Sequence, residues 1–306
     1  MSPEPPGVSQ VVVEATGSAP GPELRTVPLR HWGRVPLAII VIAAIVALLY
    51  AVAVNRNIDW SIVAENFTSS AILKGVGVTI VLTVLSMLIG IVLGIAAEVM
   101  RSSSNPVFAS VARGYIWIFR GTPVLVQLIF WYNLSLLFPT VGLTLPFLGE
   151  VWSVETNILI TGFTAALLGL GLNEGAYMAE IVRAGLASID RGQTEAALAV
   201  GMRKRQALSR IVLPQALRVI VPPTGNEVIN MLKTTALVSI ISGSDLLTTA
   251  QTISSRNFAV IELLIVASIW YLALTTVFNV GQWAFERRLA RQNGARTADR
   301  SERGRT

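Results

Sequence analysis

The sequence contains no cysteine and a single histidine, His31, among its 306 residues. The absence of cysteine excludes disulfide bonds, thiol catalysis and metal sites with thiolate ligands. One histidine cannot form a histidine-based catalytic or metal-binding cluster, and we find no convincing nucleophile–base pair, so we predict no enzymatic activity. Charged residues make up 14% of the chain, whereas about a quarter is usual for a soluble domain. We therefore expect several segments to face lipid instead of water.

Long apolar stretches are abundant, and 53% of the residues are hydrophobic. A transmembrane helix needs about 20 mainly apolar residues. The candidate stretches are 36–54, 72–98, 123–139, 158–182, 214–243 and 259–283. The predicted fold class is therefore all-α, a polytopic membrane helical bundle of about six transmembrane helices. Within the fifth stretch, Pro222 and Pro223 remove two backbone donors and should break or kink the helix.

The positions of Lys and Arg predict how these helices are oriented. Basic residues concentrate in the cytoplasmic segments of membrane proteins. If the N-terminus is cytoplasmic, most of the 24 basic residues fall in inner segments, and only Arg56, Lys74 and Arg256 fall in outer ones. Both termini are therefore predicted to be cytoplasmic. The net charge of +6 then indicates contact with anionic membrane lipid, and we predict no nucleic-acid partner.

The third predicted cytoplasmic segment contains a motif with fixed spacing. Its members, in chain order, are Glu195-Ala196-Ala197, Gly201, Ile211 and Leu213-Pro214. Glu, Ala and Leu favour a helix, and the glycine would end or break it. The segment thus predicts two short helices that meet at Gly201 and project from the membrane face. On charge alone, an amphipathic interfacial loop is the favoured interpretation.

The spacing of this motif resembles the signature loop of ABC importer permeases. Other segments resemble the polar amino-acid permeases of the histidine, arginine and glutamine uptake group. They are Arg120-Gly121-Thr122-Pro123 with Gln127, Ala176 through Gly185, Leu213 through Arg218, and Asn226 through Leu237. The resemblance covers about residues 70–285. The usual member of this group has five spans with its N-terminus outside, so this chain has an additional first helix.

The resemblance implies a type I importer. In such an importer a second permease copy or a related permease completes a dimer, a dimer of ABC ATPase subunits docks below it, and an extracytoplasmic amino-acid-binding protein delivers substrate. The implied ATPase-coupling residues are Glu195, Ala196, Ala197, Gly201, Ile211, Leu213 and Pro214. The chain has no Gly-x-x-x-x-Gly-Lys-Ser/Thr phosphate loop. We therefore expect no cofactor in this chain, with ATP and Mg²⁺ bound by the partner ATPase.

Polar residues inside the predicted spans are candidates for the substrate pathway, since ionisable groups at membrane depth are costly. Glu227 and Lys233 are separated by about 9 Å of helical rise. They could meet the ammonium and the carboxylate of an amino acid, or they could pair with other residues of the bundle without touching substrate. The complete candidate set is Glu227, Lys233, Asn230, Asn226, Glu174 and Gln127.

The function predicted from the sequence is that of the membrane-spanning permease subunit of an ABC importer for polar amino acids. The alternative is a gradient-driven secondary transporter or channel for small polar solutes, which has no need for the glycine-containing loop. The predicted domains are a disordered cytoplasmic tail (1–35), an additional helix with its outer loop (36–70), the importer transmembrane domain (71–285, coupling loop 190–214) and a basic cytoplasmic tail (286–306).

Overall fold

The computed structural model describes residues 34–145 and 149–303, and most of these residues are helical. The predicted N-terminal tail lies almost entirely outside the described residues. The helices are α1 (Arg34–Ala53), α2 (Trp60–Phe67), α3 (Ser70–Arg101), α4 (Pro106–Gly121), α5 (Val124–Tyr132), α6 (Thr156–Leu159), α7 (Gly162–Ala187), α8 (Arg191–Ala199), α9 (Lys204–Ala207), α10 (Leu213–Thr234), α11 (Leu246–Asn257) and α12 (Val260–Arg303). The helical bundle predicted from the sequence is confirmed.

A short antiparallel hairpin was not predicted. Its strands are β1 (Thr140–Leu145) and β2 (Gly149–Glu155), which follow a 3₁₀ turn at Leu134–Leu136. Backbone pairing explains why Gly142 is needed on β1, because a Cβ there would lie 3.0 Å from the Cα of Ser153 on the opposite strand.

The first helix belongs to a unit of its own that ends at Asn57, and the second unit begins at Ile58. α1 agrees with the first predicted span. Between Pro36 and Ala53 none of its residues is buried within the protein, as expected of a helix that is apolar on all sides and surrounded by lipid.

The second unit is built around α3 and α7, which approach each other at small residues. A Cβ at Gly90 would lie 2.8 Å from the Cβ of Glu174, and a Cβ at Gly94 would lie 2.9 Å from the backbone nitrogen of Ala179. Glycine at these two positions therefore allows the close approach of the helices. α10 packs against α7, α12 and α3.

Side-chain caps fix where several of these helices begin. The Ser69 hydroxyl accepts a hydrogen bond from the Ile72 N–H at the start of α3. Asn105 Oδ1 accepts one from the Val107 N–H at 2.9 Å, directly before α4. Such caps satisfy backbone donors that have no partner within the helix.

The third predicted span, 123–139, is wrong in its limits. α5 ends at Tyr132, and its nine residues rise only about 14 Å, less than the ~30 Å hydrocarbon core. α4, which the sequence analysis assigned to a cytoplasmic loop, precedes it as a helix of 16 residues. The error arose because the apolar residues after Tyr132 continue into the 3₁₀ turn and towards the hairpin instead of extending the helix.

The prolines of the fifth stretch were predicted to break or kink its helix; the break is wrong, whereas the kink stays a prediction. α10 remains α-helical through Pro222 and Pro223. Contacts with α7 and α12 along this helix explain why the loss of two backbone donors does not end it, since tertiary packing overrides local propensity.

By length and apolar composition alone, three helices of the described residues could cross a membrane. These are Pro36–Ala53, Ser70–Arg101 and Val260–Arg288. α7 and α10 are also long enough, with 26 and 22 residues, but their sequences are more polar. Their polar residues surround the cavity described next.

Candidate functional site

The predicted elbow is formed by the end of α8. The Gly201 N–H donates to the Leu198 carbonyl at 3.0 Å, and the Met202 N–H donates to the Ala197 carbonyl at 3.1 Å. These two bonds form a Schellman motif, which requires a left-handed residue at its C′ position. Gly201 supplies it with φ +84°. α8 therefore ends at the Gly201 turn, as the sequence predicted.

The predicted coupling residues differ in exposure. Glu195 and Ala196 are exposed on α8, whereas Ala197 is buried. At the far end of the motif, Leu213 and Pro214 are exposed and Ile211 is half-buried. Val200, just before the glycine, is 79% exposed. The elbow thus presents a free surface to a partner, although its docking to an ATPase stays a prediction.

The segment after the elbow is joined to α10 without a non-helical break. α9 passes into a π-helical turn at Leu208–Val212, and α10 starts at the next residue. The π-turn ends two residues before Pro214, whose ring nitrogen has no hydrogen to donate. A displacement of the elbow can therefore be transmitted along a continuous helical segment into α10.

A polar cavity of about 510 Å³ lies between α7, α10 and the break that separates α4 from α5. It contains two acidic side chains, Glu174 from α7 and Glu227 from α10, together with Asn230. Glu174 is buried, and its Oε1 has no hydrogen-bond partner among the described residues. A buried acceptor without a partner is costly, so a ligand that donates to Glu174 would stabilise this arrangement. We refer to this space as the central cavity.

The other predicted pathway residues do not line the central cavity. Gln127 is buried beside it and donates from Nε2 to the Phe119 carbonyl at 3.0 Å and to Thr122 Oγ1 at 2.8 Å. Asn226 accepts from Gln282 Nε2 at 3.1 Å, on the side that faces α12. Lys233 is exposed near the end of α10. The role predicted for these three residues in the pathway stays a prediction.

One charged and one aromatic residue that line the central cavity were not among the predicted pathway residues. Arg120 lies at the end of α4, and Tyr177 lies on α7, with the guanidinium carbon 5.3 Å from the centroid of the ring. Both side chains line the central cavity. The motif Arg120-Gly121-Thr122-Pro123 was noted in the sequence, but its arginine was counted only as a cytoplasmic charge.

Next to the central cavity, five charged residues form a group that we call the arginine cluster. Glu180 accepts from Arg101 Nη1 at 2.7 Å and from Arg183 Nε at 2.8 Å, and Arg120 Nη1 lies 3.7 Å from the same carboxylate. Glu98 also pairs with Arg101. Arg183 lies three residues further along the same helix, a spacing at which the two side chains can meet.

Known proteins resemble the chain over most of its length. Residues 86–291 match the family described as binding-protein-dependent transport system inner membrane component. The chain is 42% identical over 261 residues to the arginine transport system permease protein ArgU of Corynebacterium glutamicum, covering 85% of this chain and 81% of that protein. It is 34% identical over 244 residues to the L-cystine transport system permease protein TcyB of Bacillus subtilis, with coverages of 79% and 96%.

The fold has a counterpart among solved structures. A crystal structure of an amino acid ABC transporter with histidines superposes with a TM-score of 0.61 at 37% sequence identity, covering 71% of this chain and 94% of that chain. These matches favour the importer over the gradient-driven transporter or channel that the sequence left open.

Proposed function

Because the chain belongs to the family of binding-protein-dependent transport system inner membrane components, we propose that it is the membrane-spanning subunit of an importer for polar amino acids, preferably those with a positively charged side chain. The observation that carries the substrate class is the central cavity, where two carboxyl groups and one guanidinium face the same space. A cationic amino acid carries the complementary set of two cationic groups and one carboxylate. The name of the relative ArgU, an arginine permease, supports this choice.

We propose that ATP and Mg²⁺ are bound by a separate ATPase dimer, which contacts the exposed face of α8 around Glu195. Since α8 ends at the Gly201 turn, and since α9 continues through the π-turn into α10, movement of the docked ATPase would displace the helix that carries Glu227. This path supplies a physical link between ATP hydrolysis and the cavity.

The proposed topology places both termini in the cytoplasm, α1 as an additional first crossing, and α4 with α5 as one crossing interrupted at Thr122-Pro123. Basic residues of the inner segments support this orientation. The subunit would pair with a second copy or a related permease, and an extracytoplasmic binding protein would deliver the amino acid from the outer side.

The substrate class is tested by ligand binding to the detergent-solubilised permease–ATPase complex without its binding protein, so that only the central cavity is measured. L-arginine and its neutral isostere L-citrulline serve as probes. Glu174→Gln and Glu227→Gln should each weaken L-arginine binding by roughly 10-fold or more, because hydrogen bonds between charged groups contribute about 1.5–3 kcal/mol. L-citrulline keeps the α-ammonium and lacks only the charge of the guanidinium, so its binding should weaken in one of the two variants and change little in the other.

Lys233→Met provides a comparison on α10, where the side chain lies outside the central cavity. Wild-type affinity in this variant would exclude the predicted contact between Lys233 and substrate, whereas weaker binding would support it. The proposed preference for cationic amino acids is contradicted if both glutamine variants keep the wild-type ratio of L-arginine to L-citrulline affinity.

A further inference from the structure

Arg120 lies where the central cavity meets the arginine cluster. Its side chain lines the central cavity with Glu174 and Glu227. It also lines a second cavity of about 390 Å³, which contains Glu180 and Arg183. The Arg120 side chain is 43% exposed, whereas that of Arg101 in the same cluster is 15% exposed. Arg120 is therefore the member of the cluster that can reach both spaces.

The contact between Arg120 and Glu180 is the weakest of the three that this carboxylate makes with arginine. The nitrogen–oxygen distance is 3.7 Å for Arg120, compared with 2.7 Å for Arg101 and 2.8 Å for Arg183. Charge-assisted hydrogen bonds are normally about 2.7–2.9 Å long. Glu180 thus has two good partners without Arg120, and it would remain paired if the Arg120 side chain turned away.

The backbone next to Arg120 is fixed, so its reorientation involves only the side chain. The Phe119 carbonyl accepts one hydrogen bond from Gln127 Nε2 at 3.0 Å and another from Asn173 Nδ2 at 2.8 Å. These bonds tie the end of α4 to both α5 and α7. The Tyr177 ring, 5.3 Å from the guanidinium carbon, gives the guanidinium a further favourable contact through a cation–π interaction.

Among the described residues that line the central cavity, Arg120 carries the single basic side chain. A carboxylate that enters the central cavity would face two acidic residues, Glu174 and Glu227. Its binding therefore requires a basic side chain opposite them. The planar guanidinium presents two parallel N–H donors that match the geometry of a carboxylate.

We propose that Arg120 binds the α-carboxylate of the amino acid in the central cavity and gives up its contact with Glu180 when it does so. The inference rests on the proposed function and deepens it. Glu174 and Glu227 would bind the cationic groups, and Arg120 would recognise that the ligand is an amino acid instead of a simple amine. Occupancy of the cavity would then loosen the attachment of α4 to Glu180 on α7.

The test compares L-arginine with agmatine, the same molecule without its carboxylate, by binding to the solubilised permease–ATPase complex. The wild-type complex should bind L-arginine roughly 10- to 100-fold more tightly than agmatine, the range expected for one charge-assisted contact. In Arg120→Gln the two affinities should be nearly equal. Arg120→Lys keeps the positive charge but lacks the planar guanidinium, so it should retain part of the preference for L-arginine over agmatine.

Arg183→Gln is the matched control, because Arg183 shares Glu180 as a partner but does not line the central cavity. It should keep the wild-type preference for L-arginine over agmatine. Elution of each variant as an assembled complex verifies that folding is intact. If the assembled Arg120→Gln complex keeps the wild-type preference, Arg120 does not bind the carboxylate. If the wild-type complex binds no amino acid from a panel of the 20, the proposed function itself fails, which is a separate result.

Discussion

Gly201 has the backbone conformation on which the elbow depends. Its φ of +84° is one that residues with a side chain rarely adopt, and a Cβ there would meet no atom within 4 Å. A substitution therefore acts through backbone strain and not through a clash. A substitution of Gly201 therefore tests the backbone conformation of the elbow, because the surrounding packing remains unaltered.

Gly201→Ala should reduce the coupling of ATP hydrolysis to transport. A left-handed backbone costs a residue with a side chain about 1–2 kcal/mol, which corresponds to a roughly 5- to 30-fold shift between elbow conformations. We expect fewer amino acids transported per ATP hydrolysed by the complex in proteoliposomes, with normal membrane insertion.

Gly114→Ala is the control for this experiment. Gly114 lies within α4, its backbone has no positive φ, and a Cβ there would also meet no atom within 4 Å. It should behave as the wild type. Normal coupling in Gly201→Ala would contradict the assignment of the elbow as the docking element.

At the scale of elements, the contact between α3 and α7 positions the acidic side of the cavity. Gly90 packs directly against the Glu174 side chain, and Gly94 packs against Met178 and Ala179 one turn further along. The two glycines keep the helices close enough to bury Glu174. Helix packing and the chemistry of the cavity therefore depend on the same residues.

Gly94→Ala should destabilise the protein by about 1–3 kcal/mol, the usual cost of overpacking, because its Cβ would lie 2.9 Å from the Ala179 backbone nitrogen. The check is the thermal unfolding midpoint of the purified protein in detergent, followed by intrinsic tryptophan fluorescence. Gly77→Ala on the same helix has open space around its Cβ, and its midpoint should not fall. Equal midpoints in Gly94→Ala and the wild type would show that the helices are not tightly packed here.

The sequence predicts those elements whose signal is local. Apolar length was enough to locate α1, α3 and α12, and the glycine in the loop was enough to locate the end of α8. The sequence could not give the course of α10 through Pro222-Pro223, because packing on two neighbouring helices decides it. The pairing of β1 with β2 was missed because no local sequence signal marked either strand within an apolar stretch.

The candidate site likewise contains residues that a local sequence signal predicted and residues that only the fold brings together. Glu174, Glu227 and Asn230 were found because polar residues within apolar stretches are conspicuous. Arg120 was missed as a cavity residue, since it lies at the end of a helix that the charge pattern assigned to a cytoplasmic loop. Only the fold brings the end of α4 against the middle of α7 and the C-terminal half of α10. Asn105-Pro106, a capping residue followed by proline, was the available signal for that helix.

At the scale of the whole molecule, successive helical segments connect the elbow to the central cavity. The exposed face of α8 is linked through Gly201, α9 and the π-turn to α10, and α10 carries Glu227 into the central cavity. Transport driven by a docked ATPase requires such a connection. A gradient-driven transporter would require neither the exposed elbow nor the continuity of the helical segment that follows it.

The most direct test is uptake of radiolabelled L-arginine by proteoliposomes that contain this permease, its ATPase and its binding protein. We predict saturable uptake that requires internal ATP together with both partner proteins, and that persists when ionophores abolish ion gradients. Uptake that proceeds without ATP and follows an imposed ion gradient would contradict the account.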